Sequence, residues 1–263
     1  MALPDTKFRM SSGVQLACQD PAIVVELLRA SSSMAFSDGR PPVTTIKAAI
    51  ERLGAENAIA TLDEMSGIPR IENEKTRKWF EIFRDKGQRV GRVAKIMCDA
   101  KDKNLSDDGQ LAGCLVAVGD LLVVQHLDQI YVDLAEKQAR AKVMYALEKQ
   151  YSIDPARIGV AYLKKAGIPS AIMFALDHEA ETKIPSRGVL RPIVAAALDL
   201  VNAVDNEKWD KFAPGIQLPP KSPIRLLGFN DAQYAKLYEQ IGELLHSSTV
   251  RLDPKLAEAP PKK

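Results

Sequence analysis

Three histidines, His126, His178 and His246, are all the imidazole that this 263-residue chain possesses, and they lie far apart in sequence. Imidazole is the side chain best suited to proton transfer and metal ligation near neutral pH. Hydrolytic or metal-dependent chemistry would therefore need carboxylates brought to isolated histidines. The thiols Cys18, Cys98 and Cys114 are odd in number and sit in apolar surroundings. They read as buried free cysteines in a reducing compartment. No CxxC pair or Cys/His cluster is present, so no structural zinc site is expected. Ser31, Ser32 and Ser33 in "RASSSMAF" are the candidate nucleophiles, but no His or Lys base can be placed beside them from the sequence. Serines that follow a helix commonly satisfy its last carbonyls instead. The G-x-x-x-x-G spacings lack a following Lys-Ser/Thr, so no phosphate loop is expected.

One segment concentrates charge. "KTRKWFEIFRDKGQRVGRVAK" carries Lys75, Arg77, Lys78, Arg84, Lys86, Arg89, Arg92 and Lys95 against only Glu81 and Asp85, with Trp79, Phe80 and Phe83 interleaved. Lys+Arg 36 and Asp+Glu 34 nearly balance over the whole chain, so its surface as a whole is not built for nucleic acid. Locally, two readings stand. The segment is a helix with an apolar stripe and a solvated cationic face, or Arg77, Arg84, Arg89, Arg92 and Lys95 bind an anionic partner such as a nucleotide, nucleic acid or acidic protein.

The elements that must position these residues are helices, and strand alternation is almost absent. Asp20 and Asp154 precede Pro21 and Pro155 in the manner of N-caps before a first-turn proline. Val43, Ile46, Ile50 and Leu53 share a face that Gly54 ends, and the helix "AENAIATLDEM" follows at once. A long amphipathic helix spans 73–100, where Gly87 and Gly91 mark a kink or a close helix contact. Ser106 caps a helix whose body is "LAGCLVAVGDLLVV", and another runs over 129–150. "LRPIVAAALDLVNAVD" and "DAQYAKLYEQIGELLH" are further helices, separated by a Pro-rich connector. No apolar run is expected to approach the roughly 18 residues that cross a bilayer.

Two stretches resemble the HD-related output domain (HDOD) family. "DPAIVVELLRASSSMAFSDGRPPVTTIKAAIERLG" is similar to the family's DPxL, NSA and ITSIxxAIxxLG sequence of motifs. "YSIDPARIGVAYLKKAGIPSAIMFALDHE" is similar to its fGxdHxxvGaxLLxxWxlPxxixxaixxHH. Between them, "LAGCLVAVG" lies where the family and its enzymatic HD relatives carry aGLLHDIG. The resemblance runs from about Met10 to Asp205 and implies a compact, multi-helix, HD-superfamily-like fold. It places Val116 and Ala117 at the His-Asp pair of the HD enzymes and Pro155 at a family histidine. Asp177 and His178 fall at the HH pair, Ser32 at the NSA asparagine, and Asp199 at the last carboxylate ligand. The family's N-terminal helix, with its LPxLP-like start, looks shortened to "LPDTKFRM".

HD phosphohydrolases use a His/Asp cage to hold divalent metal and ionise bound water. Val116 and Ala117 offer no lone pair, so the site is expected to be a filled hydrophobic core with no metal or other cofactor. His178 is left as a structural residue, an anion ligand or a pH-responsive group. Asp199 is expected to be a leftover ligand or an interior carboxylate paired with an arginine or with backbone amides. The expected organisation is an all-α domain over 1–212, a Pro-rich connector and packed C-terminal helix over 213–250, and a disordered tail over 251–263. The expected function is non-catalytic signalling through protein partners in the bacterial cytoplasm, away from membranes. A nucleotide- or nucleic-acid-binding role for 75–95 is the alternative, and a metal phosphohydrolase comes third.

Overall fold

The computed structural model describes residues 17, 20–66, 71–138, 140–177 and 188–247, and every regular element among them is a helix. Helix α1 (Pro21–Ser31) starts where the sequence places it. The Asp20 carboxylate accepts from the Ala22 amide at 2.8 Å, and Pro21 occupies the first turn, where its missing N–H leaves no bond unmade. A single turn, α2 (Met34–Ser37), leads to α3 (Ile46–Ser66), which kinks at Gly54 with φ +76°. The apolar face from Val43 to Leu53 packs α3 against α1.

The long helix α4 (Glu74–Lys101) is continuous, with the Asn73 side chain accepting from the Lys75 and Thr76 amides. Its glycines mark a close contact and not a kink. A Cβ on Gly87 would lie 2.7 Å from the Cys114 carbonyl oxygen. One on Gly91 would lie 2.8 Å from that of Gln110. Across the same seam, a Cβ on Gly113 would come 2.6 Å from the Gly91 Cα. The backbones of α4 and α5 (Ser106–Leu115) thus touch directly.

Three sequence expectations fail here. The apolar stretch 111–124 is not one helix: α5 ends at Leu115, and α6 (Val118–Leu127) starts after a turn at Val116 and Ala117. Ser106 lies inside α5, behind a one-turn 3-10 helix that Asp102 caps, and does not itself cap α5. The segment 129–150 is likewise divided into α7 (Gln129–Lys137) and α8 (Arg140–Tyr151), because Gln138 is extended. A related expectation also needs correction. Lys103–Leu127 is long and apolar enough to cross a bilayer by length and hydropathy, yet it is 61% buried within the fold and bent at Val116–Ala117.

The remaining helices are α9 (Pro155–Lys165), α10 (Ser170–Leu176), α11 (Leu190–Asp205), the single turn α12 (Pro223–Leu226) and α13 (Asp231–His246). Asp154 caps α9 through the Ala156 and Arg157 amides, and an Asn230–Gln233 capping box starts α13. The connector after α11 is held by its aromatics: Trp209 stacks on Tyr238 at 4.5 Å, and the Tyr234 hydroxyl donates to the Phe212 carbonyl at 2.6 Å. The main core gathers α1, α3, α4, α5, α11 and α13, with Leu237, Ile241 and Leu245 bringing the C-terminal helix into it. A second cluster surrounds Phe83, Ala117, Leu121, Tyr131 and Leu147. Residues 251–263 and Cys18 lie outside the described residues, whereas Cys98 and Cys114 are buried and not joined in a disulfide.

Replacing Gly113 by Ala should push α4 and α5 apart. The cost of overpacking, about 1–3 kcal/mol, exceeds the helix propensity gained, which is at most about 1 kcal/mol. Urea denaturation should therefore show a lower midpoint for Gly113→Ala.

Candidate functional site

The positions that the HD resemblance singles out converge only in part. Val116 and Pro155 border one cavity of about 110 Å³. Its walls come from the α5–α6 turn (Leu115, Val116, Gly119), α9 (Pro155, Ala156, Gly159, Val160, Leu163), α10 (Ala175, Leu176) and α11 (Val194, Ala195, Leu198). No lining side chain carries a hydrogen-bonding group. The expected filled core is thus a hollow with hydrocarbon walls. Val116 is half-buried, and Ala117 turns instead into the second cluster, 1% exposed.

The spacing of the walls has a backbone cause. A Cβ on Gly119 would overlap the Pro155 carbonyl, and one on Gly159 would lie 2.8 Å from the Gly119 amide nitrogen. Helices α6 and α9 therefore meet backbone to backbone at one edge of the hollow. At the other edge, Lys164 Nζ pairs with the Asp177 carboxylate at 2.7 Å. Arg191 donates to the Phe174 carbonyl at 3.1 Å and to the Asp177 carbonyl, and its guanidinium lies 4.4 Å from the centre of the Phe174 ring. Lys164, Asp177 and Arg191 thereby tie α9, α10 and α11 together. The two glycines, each inside a helix, were the sequence signal for this crossing.

A divalent ion does not fit this place. Val116, Ala117 and Pro155 have no donor atoms, and the Asp177 carboxylate is held by Lys164. Asp199 follows the cavity-lining Leu198 and so sits about 100° round the helix from it. It has no hydrogen bond or ion pair among the described residues, against the expectation of a paired carboxylate, and burial alone raises its pKa. His178 lies outside the described residues. Among the described residues no three His, Cys, Asp or Glu side chains gather closely enough to hold a metal. Ser31 Oγ donates to the Leu28 carbonyl at 2.9 Å, as expected of a serine closing a helix. Ser32 Oγ is buried without a hydrogen bond.

The cationic segment is the central helix α4, and its charges are dispersed. Arg89, expected as a binding residue, is buried at 5% exposure and held by two carboxylates. Its Nε bonds Asp85 at 2.6 Å, and its Nη1 bonds Asp205, the last residue of α11, at 2.6 Å. Burial works against the Arg89 charge, but the hydrogen bond and attraction from Asp205, then those from Asp85, outweigh it and raise the pKa. Burial raises the Asp85 carboxyl in spite of Arg89. Arg84 approaches Asp20 at 3.9 Å, and Lys95 bonds Gln110 at 3.0 Å. Arg77 and Arg92 are exposed but lie about 22 Å apart along the axis. Trp79 and Phe83 pack with Tyr131 in the second cluster, so the interleaved aromatics are packing residues.

Comparison with known proteins accords with this architecture. The HDOD domain matches residues 2–182. The chain belongs to the HDOD family. The MmoQ response regulator of Methylococcus capsulatus str. Bath aligns with a TM-score of 0.68 at 17% identity, covering 87% of this chain and 89% of that one. A fragment of the same regulator, 20–298, gives 0.65 at 16% identity over 86% and 85%. An HDOD domain protein of unknown function from Geobacter sulfurreducens aligns over 92% and 88% of the two chains at 17% identity, with a TM-score of 0.40. No curated protein matches the sequence. The HDOD match ends before α11, although Leu190, Ile193, Ala197 and Val201 of that helix are buried in the main core.

Two substitutions test these assignments. Arg89→Ala leaves Asp85 and Asp205 buried without their cation and should cost about 3–5 kcal/mol, read from urea unfolding at pH 7. The loss should shrink on acidification as the Asp85 carboxyl, already raised by burial, protonates. Asp199→Asn should act in the opposite direction. A carboxyl raised in the folded state supports folding fully below its unfolded pKa, and that support is lost as pH rises through the folded one. The Asn variant should therefore be the more stable at pH 7, and its advantage should vanish as pH falls through the carboxylate range.

Proposed function

We propose that this HDOD chain is a non-catalytic regulatory protein that works through protein contacts in bacterial signal transduction, in the cytoplasm. The observation that carries this reading is the composition of the cavity. Where HD enzymes need His and Asp ligands to ionise water on a metal, Val116 and Pro155 supply hydrocarbon to the cavity, and Ala117 supplies it to the neighbouring cluster. Hydrolysis of a phosphodiester through a metal-bound hydroxide has no ligand set there among the described residues. The likeness to MmoQ, itself described as a response regulator, supports a signalling role. A rigid helical body with no polar cage suits a protein that presents surfaces to partners.

The commitments of two kinds of side chain on α4 count against the anionic-ligand alternative. Arg89 is committed to Asp85 and Asp205, and Trp79 and Phe83 are packed against Tyr131. One set of assays separates the three readings. Purified protein supplied with Mn2+, Mg2+ or Fe2+ should not hydrolyse bis-p-nitrophenyl phosphate or cyclic dinucleotides. It should also fail to bind single-stranded DNA, RNA or cyclic dinucleotides at low salt. Chelator-sensitive turnover would overturn the non-catalytic reading. Affinity that falls steeply with salt would replace it with the nucleotide-binding one.

A further inference from the structure

The geometry points to a ligand for the cavity itself: we infer that it binds one small, uncharged, apolar molecule, no larger than a single ring or a short branched hydrocarbon. This rests on the non-catalytic reading of the same site and adds a ligand to it. Leu115, Leu163 and Val194 form a buried floor, while Val160, Ala195 and Leu198 are half-exposed, so the hollow has a way in. The lining side chains are all hydrocarbon, so a charged ligand would lose its hydration against these walls and find no side-chain partner in return. Size excludes nucleotides independently. At about 110 Å³ the space is well below the roughly 300–1,000 Å³ of pockets for drug-sized ligands. A dry apolar cavity of about 150 Å³, by contrast, takes up benzene or xenon.

The walls are held against collapse. Gly119 and Gly159 fix the α6–α9 contact, and Lys164, Asp177 and Arg191 join α9 to α10 and α11. A ligand seated here touches α6, α9, α10 and α11 at once and favours whichever arrangement of them encloses it. Occupancy of the hollow therefore becomes an input that the outer faces of those helices report.

The test uses the full chain with 13C-labelled methyl groups, equilibrated with xenon under pressure and separately titrated with benzene. The methyl resonances of Val116, Val160, Leu163 and Leu198 should shift saturably, and the unfolding temperature should rise with benzene concentration. Ala195→Leu, which fills the hollow from α11, should abolish both effects. Val116→Phe fills it from the α5–α6 turn and serves if the first variant does not fold. Shifts that fail to saturate, or saturable binding that survives in the filled variants, would overturn the inference. Such a failure without metal-dependent turnover removes the ligand and leaves the non-catalytic reading standing, whereas turnover removes that reading.

Discussion

The direct contact of two backbones at the α4–α5 crossing is the constraint on which the remaining packing depends. Helices that carry side chains at their contact surfaces pack about 8–10 Å apart. Gly87, Gly91 and Gly113 remove those side chains, and a single added Cβ has nowhere to go. With α5 fixed against α4, the turn at Val116 and Ala117 is fixed as well, and α6 departs from it in a set direction. A second glycine pair, Gly119 and Gly159, then fixes α9 on α6. Two backbone contacts in series thus locate the helices that wall the cavity. The geometry around Val116 is built by backbone contacts.

That construction makes the scaffold independent of polar chemistry at this place. The side chains of Val116, Ala117 and Pro155 are hydrocarbon, and the helix contacts beside them are made by backbone. A buried charge elsewhere in the interior is Arg89, which meets Asp85 within its own helix and Asp205 from another. Lys164, Asp177 and Arg191 serve a related purpose nearer the surface, since Asp177 uses its carboxylate for one cation and its carbonyl for the other.

What the sequence reveals and what it conceals divide along physical lines. Caps and stops are local, so Asp20–Pro21, Asp154–Pro155, Gly54 and the limits of α11 can be read directly. The breaks at Val116–Ala117 and Gln138 cannot, because those residue types do not interrupt helices and the bends are imposed by packing. Charge content marks 75–95 as basic but is silent on burial. The partner that removes Arg89 from the surface lies 116 residues away. Apolar residue types around Val116 announce a hydrophobic site, yet hydrophobicity carries no information about volume. Whether such residues fill a space or enclose one depends on how four helices meet.

The bridge from Arg89 to Asp205 bears on where this domain ends. Asp205 stands beyond the last residue of the HDOD match, at 182, while Arg89 lies within it. The recognisable motif therefore holds a cation whose second counter-ion comes from outside the motif, on a helix that also completes the apolar interior. The matched segment is smaller than the packed core to which it contributes. Expression boundaries drawn around the signature alone would cut through the electrostatics of its own centre.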